Sequence, residues 1–330
     1  MEVNRFPQRK EDGLSKYREK VMNMEKTSME KIVAIKEQLK KTFGFAGKTV
    51  EQIRRAEAAK AVSLPGLTGI TTEKTTIAGL AAEWVRPDQS PSVGKYEDDK
   101  RMILYFHGGG FISGSCDSHR DLVSRIAKAS GVRVLVIEYR LAPEYKYPAA
   151  NDDCLAAYRL LITGGIPAKS IVIGGDSTGG YLTLTTLLAL RDGGDPLPAA
   201  AFFLSPHTDF LNYDGESYIS RAESDPTGSL SNSRMCADNY FDASRISPPV
   251  LSPLHQELDG LPPLFIQVGD DEVILSDSVR LAERAKEAGV DVTLEIWENM
   301  WHIFRFMAYM LPEGEEALRN VGEFVRKGLG

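Results

Sequence analysis

The sequence predicts an α/β fold in which a mostly parallel central sheet is flanked by helices. Short apolar runs rich in β-branched and aromatic residues alternate with helical patterns along two stretches, the first from about residue 101 and the second from about residue 264. These runs are continuously apolar, which is typical of parallel strands covered by helices on both faces. A polar interval from 207 to 249 interrupts the rhythm and is interpreted as an insertion.

The elements follow in chain order. Between residues 16 and 44, apolar residues recur every three or four positions among Lys and Glu, which predicts one or two amphipathic helices. A polar stretch with Gly, Pro and Ser from 88 to 100 predicts a loop. The first series then predicts strands at 101–106, 132–139, 171–173 and 199–204, with helices at 152–162 and 181–190. The second series predicts strands at 264–268 and 292–297, with helices at 278–288 and 315–327.

Composition excludes several classes of function. The 330 residues carry 39 Lys and Arg against 46 Asp and Glu, a net charge of −7, whereas nucleic-acid binders usually concentrate positive charge. No apolar run approaches the roughly 20 residues that cross a bilayer, and the first thirty residues show no signal-peptide pattern. Cys116, Cys154 and Cys236 are too scattered for a disulfide framework or a zinc site. We therefore expect a cytoplasmic protein with no nucleic acid, membrane span or metal.

The most informative motif is a Gly-x-Ser-x-Gly sequence centred on Ser177. It follows the apolar strand at 171–173 and precedes a helical pattern. A serine on such a turn is held in strained backbone geometry, and the flanking glycines keep strand and helix from colliding. The alternative interpretation is a phosphate-binding loop, but the lysine of that motif is missing. The sequence therefore predicts Ser177 as a nucleophile.

A second glycine-rich motif, His107-Gly-Gly-Gly110, directly follows the predicted strand at 101–106. Tetrahedral intermediates of acyl transfer develop negative charge on the former carbonyl oxygen, and backbone N–H groups without side-chain obstruction stabilise it. We expect Gly108 and Gly109, together with the N–H of Thr178, to form this oxyanion hole. His107 is expected to support the loop rather than to act as a base.

These motifs resemble the hormone-sensitive-lipase-like branch of the α/β-hydrolase superfamily of esterases. Between them lie Tyr139-Arg-Leu-Ala-Pro-Glu144 and Pro148-Ala-Ala-Asn-Asp152, which are similar to that family's linking segment. The resemblance extends over about 75–330 and implies an α/β-hydrolase fold with a helical cap. The cap would comprise 1–55 and 208–248, and the catalytic domain 56–207 and 249–330. The family usually has Ala after the nucleophile, where this chain has Thr178.

The resemblance also implies the chain order serine, acid, histidine. Only His207, His255 and His302 follow Ser177 in the sequence. His302 comes after the predicted strand at 292–297, as the base of the family does, and is the predicted base. The other two lie beside prolines in or near the insertion, where a surface or substrate-lining role is expected.

The acid is expected in the loop after the predicted strand at 264–268, which carries several carboxylates. Related esterases often have Asp-Pro-Leu at this place. Aligning that motif so that Val273 takes the position of the proline puts the acid at Glu272. Asp271 is the alternative. Asp277 is expected to cap the helix that follows.

The resemblance implies a carboxylic ester hydrolase that cleaves short- to medium-chain acyl esters with a Ser-Glu-His triad, through an acyl-enzyme and without a cofactor. Its partner would be a small-molecule ester. The oligomeric state stays open, with a homodimer as one option because bacterial relatives are often dimeric. Two alternatives remain open. One is an amidase or deacetylase with the same triad, and the other is a non-catalytic small-molecule receptor of the same fold.

Overall fold

The computed structural model describes residues 29–42, 44–45, 47–63, 66–88, 100–242 and 248–330. Its strands form one sheet and are, in chain order, β1 (Ile70–Ile77), β2 (Leu80–Pro87), β3 (Met102–Phe106), β4 (Arg133–Ile137), β5 (Ile171–Asp176), β6 (Ala200–Leu204), β7 (Leu264–Gly269) and β8 (Val292–Trp297). The helices are α1 (Met29–Thr42), α2 (Val50–Ser63), α3 (Cys116–Ser130), α4 (Ala149–Thr163), α5 (Thr178–Asp192), α6 (Ser217–Ser220), α7 (Leu230–Tyr240), α8 (Pro248–Leu251), α9 (Leu275–Glu287) and α10 (Pro312–Leu329).

The sheet has the strand order β1-β2-β4-β3-β5-β6-β7-β8. Strands β3 to β8 run parallel, whereas β2 is antiparallel to both of its neighbours. Every residue of β3, β5, β6 and β7 is buried, because apolar clusters cover both faces of the sheet. The predicted fold class, an α/β-hydrolase fold with a mostly parallel sheet flanked by helices, is confirmed.

Among the elements that the sequence did not predict are the β1–β2 hairpin and α3. The outer strand β1 is largely exposed and carries Thr, Glu and Lys, so it has no apolar run to identify it. Helix α3 begins with a capping box, in which Ser115 and Ser118 each accept the other's backbone N–H. The helix ends at Gly131, whose φ of 68° lies in the left-handed region that favours glycine. The loop that carries the glycine-rich motif is therefore fixed between β3 and α3.

Helices α1, α2 and α7 pack on loops at the carboxyl edge of the sheet. Ile32 of α1 is buried against Met300 and Trp301. Arg54 of α2 donates hydrogen bonds to the carbonyl groups of Ile112 and Ala142, at 2.7 and 2.8 Å. The division into a cap (1–55 and 208–248) and a catalytic domain stays a prediction. Residues 1–28 lie outside the described part, and the boundary after residue 55 falls within α2.

Two expectations from composition can be compared with the described residues. Cys116, Cys154 and Cys236 are all buried and none forms a disulfide. None of the helices in the described ranges is long and apolar enough to cross a bilayer.

The contact between α3 and α10 yields a prediction about stability. A Cβ added at Gly322 of α10 would overlap backbone atoms of Ala129, which cannot move aside without shifting α3. We expect Gly322→Ala to lower the free energy of unfolding by about 2 kcal/mol, because overpacking against backbone atoms costs about 3 kcal/mol, the upper end of the usual range, and the gain in helix propensity is about 1 kcal/mol. Urea unfolding followed by circular dichroism measures the change.

The matched control is Glu323→Ala, at the adjacent exposed position of the same helix. It should change the unfolding free energy by no more than about 0.5 kcal/mol. A Gly322→Ala protein as stable as the wild type would show that α3 and α10 are not in close backbone contact.

Candidate active site

Ser177 lies on a sharp turn between β5 and α5. Its φ of 52° and ψ of −118° are strained for a residue with a side chain. A Cβ added at Gly175 would overlap the carbonyl group of Gly179, and one at Gly179 would overlap the carbonyl oxygen of Phe106. Only glycine therefore fits on either side of this turn, and the turn holds the Ser177 side chain beyond the end of β5.

Three predicted residues form one hydrogen-bonded row. The Nε2 atom of His302 lies 3.1 Å from Oγ of Ser177, and its Nδ1 atom lies 3.0 Å from Oε2 of Glu272. Ser177 follows β5, Glu272 follows β7 and His302 follows β8, so the row spans three loops at one edge of the sheet. The Glu272 carboxylate has no solvent exposure, whereas the His302 side chain is 15% exposed.

The other oxygen of Glu272, Oε1, accepts two hydrogen bonds, from the Gly269 N–H and from the Ser205 hydroxyl, each at 2.6 Å. Asp271, the alternative acid, instead forms an ion pair with Lys36 of α1. Of the two candidate acids, Glu272 contacts His302, whereas Asp271 points to Lys36 of α1.

The electrostatic surroundings of His302 favour its protonated form. Burial alone would lower the pKa of His302, but the hydrogen bond and the charge of Glu272 outweigh burial and raise the pKa above 6.5. The more distant carboxylates of Asp225 and Asp176 act in the same direction. With Glu272 on Nδ1, the Nε2 atom faces Ser177 and can exchange a proton with its hydroxyl.

The glycine-rich loop differs from the expectation at one position. The Gly108 N–H donates to Oδ1 of Asp176 at 3.0 Å, so this group, expected in the oxyanion hole, is already engaged. The Gly110 N–H is engaged as well, because it donates to the Thr178 hydroxyl at 3.1 Å. Within the part of the chain that the structure describes, the N–H groups of Gly109 and Thr178 have no acceptor. Of the three expected donors, Gly109 and Thr178 therefore have unengaged N–H groups and stay candidates for an oxyanion hole, whereas Gly108 does not.

A buried ion pair between Asp176 and His119 holds the glycine-rich loop in place. Asp176, which precedes the nucleophile, accepts hydrogen bonds from Tyr105 at 2.7 Å and from His119 at 3.3 Å. Burial opposes ionisation of both groups, but their mutual attraction lowers the pKa of Asp176 and raises that of His119. Asp176 is thus a carboxylate that holds the Gly108 N–H, a role that the motif around Ser177 did not reveal.

His107 is buried beneath the same loop. Its Nδ1–H donates to the Gly108 carbonyl oxygen at 2.8 Å, and its ring stacks on Tyr139 at a centroid distance of 4.2 Å. The Tyr139 hydroxyl in turn donates to the His107 carbonyl oxygen at 2.7 Å. Burial and the charge of His119 lower the pKa of His107 to about 3, so the ring is neutral. His107 contacts the loop but not Ser177.

The other two histidines after the nucleophile do not join the row. His207 is 5% exposed, and its backbone N–H donates to the Ser177 carbonyl oxygen at 3.1 Å. The His255 side chain is 45% exposed and lies 3.7 Å from Asp209. Asp277 was expected to cap α9, but this expectation is wrong. It lies inside the first turn, and its carboxylate accepts the N–H groups of Thr208 and Asp209.

Asp225, in the insertion, is a residue that sequence reasoning missed. Its buried carboxylate accepts the backbone N–H groups of Thr227, Gly228 and Val273, at 2.9 to 3.0 Å, and burial raises its pKa. It thereby attaches the insertion to the loop that carries Glu272, and nothing in the surrounding polar sequence marks it. Among the described residues, no group of three His, Cys, Asp or Glu side chains is arranged to hold a metal ion.

Aromatic rings pack tightly beside the glycine-rich loop. Phe111, the residue after the motif, stacks on Tyr240 of α7 with centroids 4.2 Å apart. A Cβ added at Gly110 would overlap Sγ of Cys236 and would lie 3.6 Å from Phe45. Phe45, between α1 and α2, and Cys236 of α7 therefore both lie next to the loop at Gly110.

Comparison with known proteins identifies relatives along most of the chain. A family model described as an alpha/beta hydrolase fold matches residues 103–306. An acetyl-hydrolase from Streptomyces hygroscopicus is 40% identical over 255 residues, which are 77% of this chain and 82% of that protein. An esterase from Acinetobacter venetianus is 33% identical over 249 residues, 75% of this chain and 79% of that protein. The crystal structure of an esterase from the bacterial hormone-sensitive lipase family is similar with a TM-score of 0.84 and 39% identity, covering 92% of this chain and all of that one.

The hydrogen bond between Glu272 and His302 predicts how His302 titrates. Protonated His302 is stabilised by the carboxylate, so its pKa lies above 6.5 in the wild type and falls in Glu272→Gln, where burial remains but the charge is lost. NMR titration of the histidine Cε1–H signals, assigned with a His302→Asn variant, measures both values.

Asp271→Asn serves as the control, because the Asp271 carboxylate pairs with Lys36 and not with His302. It should leave the His302 titration at its wild-type position. A shift in Asp271→Asn together with none in Glu272→Gln would reverse the assignment of the carboxylate that holds His302.

Proposed function

Because the chain belongs to the alpha/beta hydrolase fold family, in its hormone-sensitive-lipase-like branch of esterases, we propose that it hydrolyses carboxylic esters with short- to medium-chain acyl groups. The observation that carries this proposal is the row from Glu272 through His302 to Ser177, at 3.0 and 3.1 Å. An activated serine beside free backbone N–H groups suits acyl transfer, in which a nucleophile and an oxyanion hole act on one carbonyl group.

In the acylation step, Oγ of Ser177 attacks the ester carbonyl carbon while Nε2 of His302 accepts the hydroxyl proton. Glu272 holds the Nδ1–H of His302 and stabilises the imidazolium that forms. The negative charge on the former carbonyl oxygen is stabilised by the N–H groups of Gly109 and Thr178. When the tetrahedral intermediate collapses, His302 gives the proton to the leaving alcohol, and the acyl group remains on Ser177.

Deacylation repeats these steps with water in place of serine. His302 takes a proton from water, which attacks the acyl carbonyl, and the same N–H groups stabilise the second intermediate. The bond to Ser177 then breaks, the serine regains its proton from His302, and a carboxylic acid leaves. Apart from the ester and water, the cycle uses only the side chains and N–H groups named above.

The size of the acyl group is inferred from the surroundings of the glycine-rich loop and from the relatives. Cys236 of α7 leaves no room for a side chain at Gly110, Phe45 lies nearby, and Phe111 stacks on Tyr240, so we infer that the acyl site next to the loop is small. One of the relatives is named acetyl-hydrolase. Both observations favour acyl groups such as acetyl and butyryl over long fatty acyl chains.

A series of p-nitrophenyl esters tests the proposed reaction. We expect the highest kcat/KM for acetyl to butyryl esters and a steep decline toward palmitoyl. Ser177→Ala should lose at least about 10⁴-fold in kcat, because the covalent step is removed. A radiolabelled organophosphate should label Ser177 and no other residue.

Pairs of substrates that differ only in an ester or an amide bond, such as p-nitrophenyl acetate and p-nitroacetanilide, separate an esterase from an amidase. The proposal requires faster turnover of the esters. It would be contradicted by a Ser177→Ala protein with wild-type turnover, or by a purified wild type that binds p-nitrophenyl acetate without releasing p-nitrophenol.

The bond between Thr178 and Gly110 predicts a smaller effect. Thr178→Val keeps the shape but removes the acceptor of the Gly110 N–H, so the glycine-rich loop loses one of its attachments. We expect kcat to fall by about 10-fold, less than the roughly 10²–10³ that follows loss of an oxyanion donor. Thr178→Ser retains the hydroxyl and should stay within about twofold of the wild type. Equal kcat values for the two variants would show that the hydroxyl does not position the loop.

A further inference from the structure

A chain of buried polar side chains lies behind Glu272, on the side away from Ser177. The Ser205 hydroxyl, at the end of β6, donates to Oε1 of Glu272 at 2.6 Å. Nη1 of Arg305 donates to the same Ser205 oxygen at 3.1 Å, and Nε of Arg305 donates to Gln267 at 2.9 Å. Ser205, Gln267, Glu272 and Arg305 all have no solvent exposure.

The direction of the Ser205 hydroxyl follows from these contacts. A hydroxyl group has one proton to donate and two lone pairs to accept with. Arg305 has only donors, so it occupies a lone pair of Ser205 and leaves the proton for Glu272. Oε1 of Glu272 is then held by Ser205 and by the Gly269 N–H, and Oε2 remains for His302.

The backbone of Ser205 indicates that its position is enforced. Its φ of 50° lies in the left-handed region, which residues with a side chain rarely adopt outside sites that require it. Ile303, next to His302, has a similar φ of 56°, and its backbone nitrogen lies 3.5 Å from Oγ of Ser205. The Ser205 N–H is held by the carbonyl oxygen of Gln267 at 2.7 Å. Ser205 thus contacts both the acid loop and the histidine loop.

Arg305 supplies a positive charge inside this cluster. Burial lowers the pKa of Arg305 to about 10, so the guanidinium group is still protonated at neutral pH. Of the charged groups around it, Glu272 contributes most to keeping it protonated. Within the described residues, no carboxylate pairs with Arg305 directly, and its guanidinium carbon lies 4.4 Å from the ring centroid of Phe304. A buried charge needs compensation, and here it reaches the Glu272 carboxylate through the Ser205 hydroxyl.

We propose that Ser205 and Arg305 are positioning residues for the hydrolytic reaction: Arg305 orients the Ser205 hydroxyl, which fixes Glu272 so that its second oxygen holds His302. The inference rests on the proposed function. Neither residue touches the substrate or the reacting atoms, and both act through Glu272. The pair should therefore affect kcat and leave the binding of substrate almost unchanged.

The pH dependence of kcat/KM reports on this positioning. His302 must be neutral to accept the Ser177 proton, so activity falls as the pH drops through the His302 pKa, which lies above 6.5. The groups that face His302 are Glu272, Asp225 and Asp176, which raise its pKa, and His207, which is itself neutral because burial lowers its pKa to about 3. The Ser205 variants leave all of these groups in the chain. A looser bond from Glu272 lowers the His302 pKa, and the acid limb of the profile moves to lower pH.

The experiment compares Ser205→Ala, Ser205→Gly and Arg305→Gln with the wild type, using p-nitrophenyl butyrate. Glycine removes the hydroxyl and adopts a φ of 50° without strain, so it separates loss of the hydroxyl from backbone effects. We expect both Ser205 variants to lose about 10- to 100-fold in kcat, less than the roughly 10²–10⁴-fold that a positioned general base contributes in full. KM should change by no more than about twofold, and the acid limb should shift to lower pH. Arg305→Gln should show the same loss of kcat at a nearly unchanged KM. Because this substitution also removes a positive charge, the shift of the acid limb is read from the two Ser205 variants.

Ser130→Ala is the matched control, because Ser130 is also a buried serine but its hydroxyl donates to carbonyl groups at the end of α3. It should keep the wild-type kcat and pH profile. The proposal is overturned if the folded Ser205 variants keep the wild-type kcat, or if activity falls only in proportion to the folded fraction with the acid limb unmoved. If Arg305→Gln does not fold, the two Ser205 variants decide. An inactive wild type would refute the ester hydrolase itself, whereas an active wild type with unaffected Ser205 variants would refute only the positioning role.

Discussion

Two consecutive hydrogen bonds, from Glu272 to His302 and from His302 to Ser177, are the interaction on which the proposed chemistry depends. The two residues at the second bond are 125 positions apart in the sequence. They meet because β5, β6, β7 and β8 are consecutive and parallel in the sheet, so that their carboxyl ends lie along one edge. The buried, helix-covered sheet therefore brings three loops that are distant in the sequence together at one site.

The site contains strained backbone and buried charges, and the surrounding structure has to stabilise both. Ser177, Ser205 and Ile303 have φ values of 52°, 50° and 56°, and each such conformation costs about 1–3 kcal/mol. Neighbouring groups enforce these conformations: the Ser177 N–H is held by Leu204 of β6 at 2.9 Å, and the Ser205 hydroxyl by Glu272 at 2.6 Å. Charged groups that cannot reach water are compensated within the protein, as Asp176 is by His119. The rigid core thereby stabilises a geometry that an isolated loop would not keep.

The sequence identifies the parts of this site that depend on local chain chemistry. Strand, glycine, serine and helix occur together around Ser177, and the strand pattern indicates the edge at which His302 lies. Such local patterns do not predict which side chains meet across the fold. Gly108 was expected to be a free donor, but the Asp176 carboxylate engages its N–H, and the sequence does not show in which direction that carboxylate points. Ser205 and Asp225 lie in segments without a motif, and the exposed strand β1 lacks the apolar run by which strands are recognised.

The most direct test of the account is a crystal structure of the protein inactivated by an alkyl phosphonate ester, a stable mimic of the tetrahedral intermediate. The account predicts a covalent bond from phosphorus to Oγ of Ser177, with the phosphoryl oxygen about 2.7–3.1 Å from the N–H groups of Gly109 and Thr178. His302 should remain hydrogen-bonded to Glu272. Phosphorus bound to another residue, or a phosphoryl oxygen directed away from both N–H groups, would contradict it.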